Sequence, residues 1–216
     1  MSPTIKSHPD AVTMMSFAAG TLAEPLAAVV AAHIAMCPRC RKEVADLDML
    51  GAALLARERT APRHDVSVTK HRPITAAAVM APRKIDPAER LPGPIALAYG
   101  LTFADIPWKR LGPGVMHHRL PLSDGTTGDL RLLKIGPGRQ MPDHGHGGAE
   151  LTLVLDGAFS DATGHYTCGD LQDVDEDIEH TPLTDKVAGC ICLIASERPA
   201  RFKSIVGRLM QPLTGM

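Results

Sequence analysis

A proline-rich stretch divides the chain into two parts with different hydrophobic periods, and this contrast strongly constrains the fold. Six prolines fall between Thr60 and Pro94, among basic and small residues. Before this stretch, apolar side chains recur every three or four residues, as they do in amphipathic helices. After it, short β-like runs are separated by Gly and Pro turns. The 216 residues therefore predict a helical front part, a linker and an all-β back part.

Three helices are expected between residues 9 and 59. Gly20 suits the end of the first helix, and Pro25 suits the first turn of a second helix that runs to about Met36. Pro38 opens the third helix in the same way. One apolar stripe follows this third helix, formed by Val44, Leu47, Leu50 and Leu54.

The back part contains four β-like runs, at residues 129–135, 150–159, 165–174 and 189–196. Short strands at such spacing predict a sandwich or a small barrel. Within the proline-rich stretch, only residues 74–81 have a composition that favours a short helix.

A first set of metal-ligand residue types lies at the junction of the second and third helices. His33 and Cys37 are four residues apart and can share one helix face, and Cys40 follows three residues later. A closed structural zinc site needs four ligands, and His8 is the only histidine before His33, so we predict it as the fourth. The alternative is a redox-active Cys-x2-Cys pair without metal, but its usual βαβ context is missing.

The pattern H-x24-H-x3-C-x2-C, together with the segment FAAGTL at 17–22, resembles the zinc-binding domain of bacterial anti-sigma factors. This resemblance implies that residues 1–85 wrap a sigma factor of the extracytoplasmic-function group, as a 1:1 complex. We expect exposed apolar faces to form the partner surface. The candidates are Leu47, Leu50, Leu54 and the 74–81 segment, including Ala78 and Val79.

A second set of ligand types spans residues 138–157. Gly138, His144, His146, Glu150 and Gly157 occur at the spacing of the first motif of the cupin family, which this segment resembles. The second cupin motif is similar to residues 169–180, where Gly169 and Asp170 are followed by His180. Three positions depart from that motif: Asp175 and Asp177 replace its usual Pro and Gly, and Thr184 replaces its usual Asn.

The cupin resemblance implies a metal held by three histidines and one carboxylate: His144, His146, Glu150 and His180. Such a set suits zinc, iron, manganese or nickel. The alternative is a barrel that has lost its metal and keeps these polar side chains inside.

The full arrangement resembles the ChrR-type anti-sigma factors over nearly the whole chain. It implies a zinc-bound helical domain at 1–85, a linker at 86–94 and a cupin sensor domain at 95–216. In that family the cupin half senses oxidative and photo-oxidative stress, including singlet oxygen. The competing hypotheses are a metal-dependent, dioxygenase-like cupin enzyme with a zinc-stabilised appendage, and a zinc-dependent module for another partner. A dedicated sigma-binding domain favours the regulator and argues against an enzyme.

Cys190 and Cys192 are two residues apart, so in a strand they share one face. Oxidation of one of them near the metal would make them sensors, but we expect them to pack as small apolar side chains. Cys168 receives no role.

The amino terminus has no apolar segment typical of a signal peptide, and no stretch is long enough to span a bilayer. We therefore expect a cytoplasmic protein. A net charge of −1 gives no indication of binding to nucleic acid or to a membrane.

Overall fold

The computed structural model describes residues 4–57, 91–142, 144–145, 147–175, 178, 180–198 and 201–202. Within these residues, a helical front part precedes an antiparallel β part, so the predicted fold class is confirmed. The 74–81 segment, with Ala78 and Val79, lies outside the described residues. None of the helices in the described part combines the length and apolar character needed to cross a bilayer.

The front part contains three helices, α1 (Ala11–Ala18), α2 (Glu24–Met36) and α3 (Pro38–Arg57). Asp10 caps α1 through its Oδ1, which accepts a hydrogen bond from the backbone of Thr13 at 2.6 Å. Gly20, at φ +69°, occupies the left-handed region just beyond α1, as expected for a residue that follows a helix end. A fourth helix, α4 (Gly93–Tyr99), begins inside the expected linker and is followed by a 3-10 turn at Phe103–Asp105.

Ten strands follow. Their bounds are β1 (Lys109–Gly112), β2 (Val115–Arg119), β3 (Asp129–Ile135), β4 (His144–Gly145), β5 (Glu150–Asp161), β6 (Gly164–Thr167), β7 (Leu171–Val174), β8 (Leu183–Thr184), β9 (Cys190–Ser196) and β10 (Arg201–Phe202). The main sheet has the order β1-β2-β3-β9-β5-β6, with β7 and β8 also paired to β5. All of these pairings are antiparallel.

The run at 165–174, expected as one strand, is two strands joined by a turn. Gly169 has φ +92°, which breaks the extended backbone, and it separates β6 from β7. A Cβ at this position would lie 2.7 Å from Ile5 Cγ1, so the turn also makes a close contact with the amino-terminal segment. Gly at this position therefore permits both the turn and the close approach.

The helices and the sheet share one hydrophobic core. Helix α2 is buried on nearly all sides, and Val29, Val30, Ala31 and Ala32 each have 0% exposure. Their cluster includes the side chains that point outward from the sheet, such as Leu132, Leu153 and Leu193. The opposite face of the sheet forms a second, smaller cluster that contains Phe159 and Tyr166. The front part is thus packed against the outside of the barrel.

Candidate metal centres

The first site, here called the front site, consists of His8, His33, Cys37 and Cys40. His33 lies in the last turn of α2, Cys37 follows that helix, and Cys40 lies in the first turn of α3. His8 comes from the segment that precedes α1. One potential ligand atom from each of the four residues lies within 4.8 Å of all the others.

The distances within the front site suit a tetrahedral ion. His33 Nε2 and His8 Nδ1 each lie 3.3 Å from Cys40 Sγ, and His8 Nδ1 lies 3.6 Å from Cys37 Sγ. Zinc–nitrogen and zinc–sulfur bonds of usual length, arranged tetrahedrally, place neighbouring N and S ligands about 3.5 Å apart. The four side chains are therefore already arranged as a closed set of ligands.

The surroundings of the front site favour neutral histidine. His33 Nδ1 lies 3.0 Å from the carbonyl oxygen of Gly169, which directs Nε2 toward the sulfur atoms. Burial, and then the proximity of His8, lower the pKa of His33 to about 4. Burial, followed by the charge of Arg39, also lowers the pKa of His8. Neutral imidazole is the form that binds metal, so both histidines remain available as ligands at neutral pH.

Burial, and then Cys37, raise the pKa of the Cys40 thiol to about 12. A bound dication reverses this effect, because it stabilises the thiolate directly. Two neutral histidines and two thiols brought together in a buried position therefore form a site completed by a cation.

The second candidate site is a cavity of about 220 Å³ inside the barrel. Glu150 and His180, both predicted ligands, line it together with Gln172 and Arg131. All four side chains are buried. Arg131 forms an ion pair with Asp129 at one side of this cavity.

His180 is oriented by a partner that the sequence did not reveal. Its Nδ1 lies 2.8 Å from Asp161 Oδ2, which also accepts a hydrogen bond from Gln172 Nε2 at 2.8 Å. Burial opposes ionisation of Asp161, but the hydrogen bonds from Thr163, Gln172 and His180 outweigh it, and the pKa of Asp161 is lowered. A metal-binding histidine usually hydrogen-bonds a carboxylate through one ring nitrogen, and its other ring nitrogen is then available for the metal.

The side chains of His144 and His146 lie outside the described residues, so the four-ligand barrel site remains a prediction. Thr184, which replaces the asparagine usual in the cupin motif, is buried. Its hydroxyl donates to the carbonyl of Gly136 at 2.8 Å and accepts from the backbone of Arg139 at 2.9 Å. This threonine therefore holds the loop at 136–139 against β8.

The remaining candidate residues occupy different environments. Cys190 and Cys192 are buried on one face of β9 and line the cavity. On α3, Leu50 and Leu54 are 57% and 54% exposed, whereas Leu47 is half-buried and packs against the shared core. Met49 and Leu55 extend the exposed apolar surface of α3.

Comparison with known proteins places both parts of the chain in families. A zinc-finger model matches residues 14–41, and the ChrR cupin-like domain matches residues 98–199. The anti-sigma-E factor ChrR of Cereibacter sphaeroides is 40% identical over 220 residues, which cover 97% of this chain and 98% of that relative. The chain belongs to the ChrR family of anti-sigma factors.

A solved structure supports the same assignment. The structure of Rhodobacter sphaeroides SigE in complex with the anti-sigma factor ChrR contains a chain that is 40% identical to this ChrR-family member. The similarity covers 89% of this chain and 100% of that chain, with a TM-score of 0.71. The zinc-finger match and the His/Cys cluster together identify the front part of this family member as metal-binding.

Proposed function

We propose that this chain is an anti-sigma factor that sequesters a sigma factor of the extracytoplasmic-function group in the cytoplasm as a 1:1 complex. The observation that carries the proposal is 40% identity, over nearly the full length of both chains, to an anti-sigma factor. A protein of that name was also solved together with a sigma factor, SigE. A regulator is favoured over a metal-dependent cupin enzyme, because a relative that matches 97% of this chain is an anti-sigma factor.

The inhibitory part is residues 1–85, joined by a linker at 86–94 to a sensor at 95–216. Leu50 and Leu54 expose apolar surface on one helix, and the described core does not cover that surface. A helix that lies in a groove of its partner uses such a surface for docking. Leu47 contributes indirectly, by fixing α3 on the core, and the segment containing Ala78 and Val79 is the second contact.

The metal of the front part is zinc with a structural role. Two imidazoles and two thiols in a closed tetrahedral arrangement are typical ligands of structural zinc. The ion links the amino-terminal segment, α2 and α3, which carry the partner surface.

Replacing one ligand tests this role. Cys40→Ser is expected to abolish zinc binding at the front site and to release the sigma factor, because α3 is no longer held against α2. The measurement is affinity for the sigma factor by titration calorimetry, with zinc content determined on the same sample. Cys168→Ser is the matched control, since this cysteine lies outside the front site. Unchanged affinity of Cys40→Ser would contradict a structural role for zinc.

The cupin part is the sensor of oxidative or photo-oxidative stress and releases the sigma factor by changing its packing against the front part. A divalent metal at His144, His146, Glu150 and His180, with zinc as the first candidate, is the proposed receiver of the signal. The buried side chains of Glu150 and His180 on one cavity support this assignment.

Sensing is tested by separating it from inhibition. The substitution His144→Ala in the full-length chain is expected to retain inhibition and to lose the response to singlet oxygen. A chain truncated after residue 85 is compared only where it is folded and zinc-loaded, because α2 shares its core with the barrel. The readout is transcription from the sigma factor's own promoter, with and without the stress. Wild-type induction in His144→Ala would exclude the barrel metal as the receiver. Loss of inhibition by a folded, zinc-loaded truncated chain would assign the barrel to the inhibitory surface.

A further inference from the structure

The turn between β6 and β7 of the barrel contacts the residues that carry the two histidine ligands of the front site. Asp170, at the end of this turn, is completely buried. Its Oδ1 accepts hydrogen bonds from the backbone N–H groups of Lys6 at 2.6 Å and Ser7 at 2.9 Å. Lys6 and Ser7 immediately precede His8 in the chain, so this carboxylate fixes the backbone that carries one metal ligand.

The same carboxylate is anchored to the barrel by its other oxygen. Asp170 Oδ2 accepts from the backbone N–H of Thr167 at 2.9 Å and from its hydroxyl at 2.8 Å. The backbone N–H of Leu171 in turn donates to the carbonyl of Ser7 at 3.1 Å. The segment before His8 therefore both donates hydrogen bonds to the turn and accepts one from it.

The second histidine ligand is held by the neighbouring residue. The carbonyl oxygen of Gly169 lies 3.0 Å from His33 Nδ1, and this contact fixes the ring with Nε2 toward Cys40. Gly169 fits closely here, because a Cβ on it would lie within 3 Å of two atoms of Ile5. Both histidines of the front site thus depend on two consecutive residues of the barrel.

We propose that the Gly169–Asp170 turn of the barrel positions both histidine ligands of the front metal site, so that the barrel contributes to metal affinity in the helical part. A group that hydrogen-bonds a metal ligand directly, as the Gly169 carbonyl does with His33, usually changes metal affinity tenfold to a hundredfold. Asp170 acts one step further from the ion, through the backbone that precedes His8. The proposal concerns metal binding alone and is independent of the proposed sigma-factor partner. It makes the turn the physical connection between the two parts of the chain.

The test uses the full-length chain with Asp170→Asn, which keeps the size of the side chain but replaces one acceptor oxygen by an amide. Zinc affinity is measured by competition with a chromophoric chelator. Cobalt(II) substitution is followed in parallel, because thiolate-to-cobalt absorption reports on the site that contains Cys37 and Cys40. We expect zinc affinity of the front site to fall about tenfold, the lower end of the range for groups bonded directly to a ligand, with a changed cobalt spectrum.

Asp185→Asn is the matched control. The Oδ1 of Asp185 also accepts two backbone hydrogen bonds, from Val187 at 2.8 Å and Ala188 at 2.7 Å, but within its own barrel turn. This variant is expected to keep both the wild-type affinity and the wild-type spectrum. Wild-type values for Asp170→Asn would overturn the proposal, and so would an equal loss in both variants.

A second measurement on the unmodified chain keeps the proposal testable if Asp170→Asn does not fold. Removal of the front metal by a chelator should speed hydrogen exchange of the Leu171 amide, whose acceptor is Ser7. The amide of Leu120, which donates to Leu130 inside the barrel, should exchange at an unchanged rate. Equal protection of Leu171 with and without metal would show that the turn and the site are independent.

Discussion

At the scale of single residues, the two cysteines of β9 show how burial controls reactivity. Cys190 and Cys192 are each only 2% exposed and line the barrel cavity. A hydrogen bond with Cys190, and then burial, raise the pKa of the Cys192 thiol well above its usual value. Since the thiolate is the reactive form, this environment favours a packing role over a redox role.

We therefore predict that Cys192 resists alkylation in the native chain. Iodoacetamide at mildly alkaline pH, followed by peptide mass spectrometry, should leave Cys192 unmodified until denaturant is added. Cys168, which is half-buried and donates to the carbonyl of Leu155 at 3.0 Å, is the internal reference and should react earlier. Modification of native Cys192 as fast as in the unfolded chain would restore the redox hypothesis.

At the scale of secondary structure, α3 supplies both a metal ligand and the expected partner surface. Its first turn supplies Cys40 to the front site, and its later turns expose Leu50 and Leu54. Because the helix is continuous over 20 residues, the metal fixes its direction and thereby the position of the exposed stripe. The stripe is expected to contact the partner, whereas Val44 in the same helix is buried in the core.

The double substitution Leu50→Gln and Leu54→Gln should weaken binding of the sigma factor by about tenfold or more, since burying one leucine side chain contributes roughly 1.5–3 kcal/mol. Glutamine is a good helix former, so the melting temperature of the free protein should stay close to the wild-type value. Leu97→Gln, at a leucine that is 67% exposed on α4, is the control for surface substitution. Wild-type affinity of the double variant, measured by calorimetry, would place the partner elsewhere.

At the scale of the whole molecule, the helical part and the barrel are not independent in packing. Helix α2 buries its surface against the outer face of the sheet, and one cluster contains side chains from both. Polar contacts reinforce this packing: the Glu24 carboxylate accepts from the backbone and hydroxyl of Ser123 at 3.0 Å and 3.1 Å, and from Thr126 at 3.0 Å. A signal that separates the two parts must therefore expose apolar surface.

This shared core predicts that a barrel substitution destabilises the helices. Leu193→Ala, at a fully buried position of β9, should cost about 2–5 kcal/mol, the usual range for such a cavity. The unfolding transition measured by helical circular dichroism and the one measured by fluorescence of the single tryptophan, Trp108, should shift by the same amount. Leu55→Ala, at a position 70% exposed, should shift neither probe appreciably. Two transitions, with only the tryptophan signal displaced, would show that the parts unfold separately.

Local sequence patterns determined much of the secondary structure and the spacing of the front-site ligands. Helix periods, strand periods and helix ends are local properties of the sequence. They account for the three front helices, for the strands at 129–135 and 150–161, and for the His33–Cys37–Cys40 spacing. The placement of Cys190 and Cys192 on one face follows from the same alternation of a strand.

Only the tertiary structure decided which distant groups meet. The bulge at Val154–Asp156 shifts the register of β5, so that Asp161 reaches His180 although strict alternation from Glu150 would place it on the opposite face. The contact between Gly169 and His33 joins residues 136 apart in the chain, and the burial of α2 on the sheet depends on how the two parts pack. No local period encodes such contacts, because they arise from the packing of complete elements against each other.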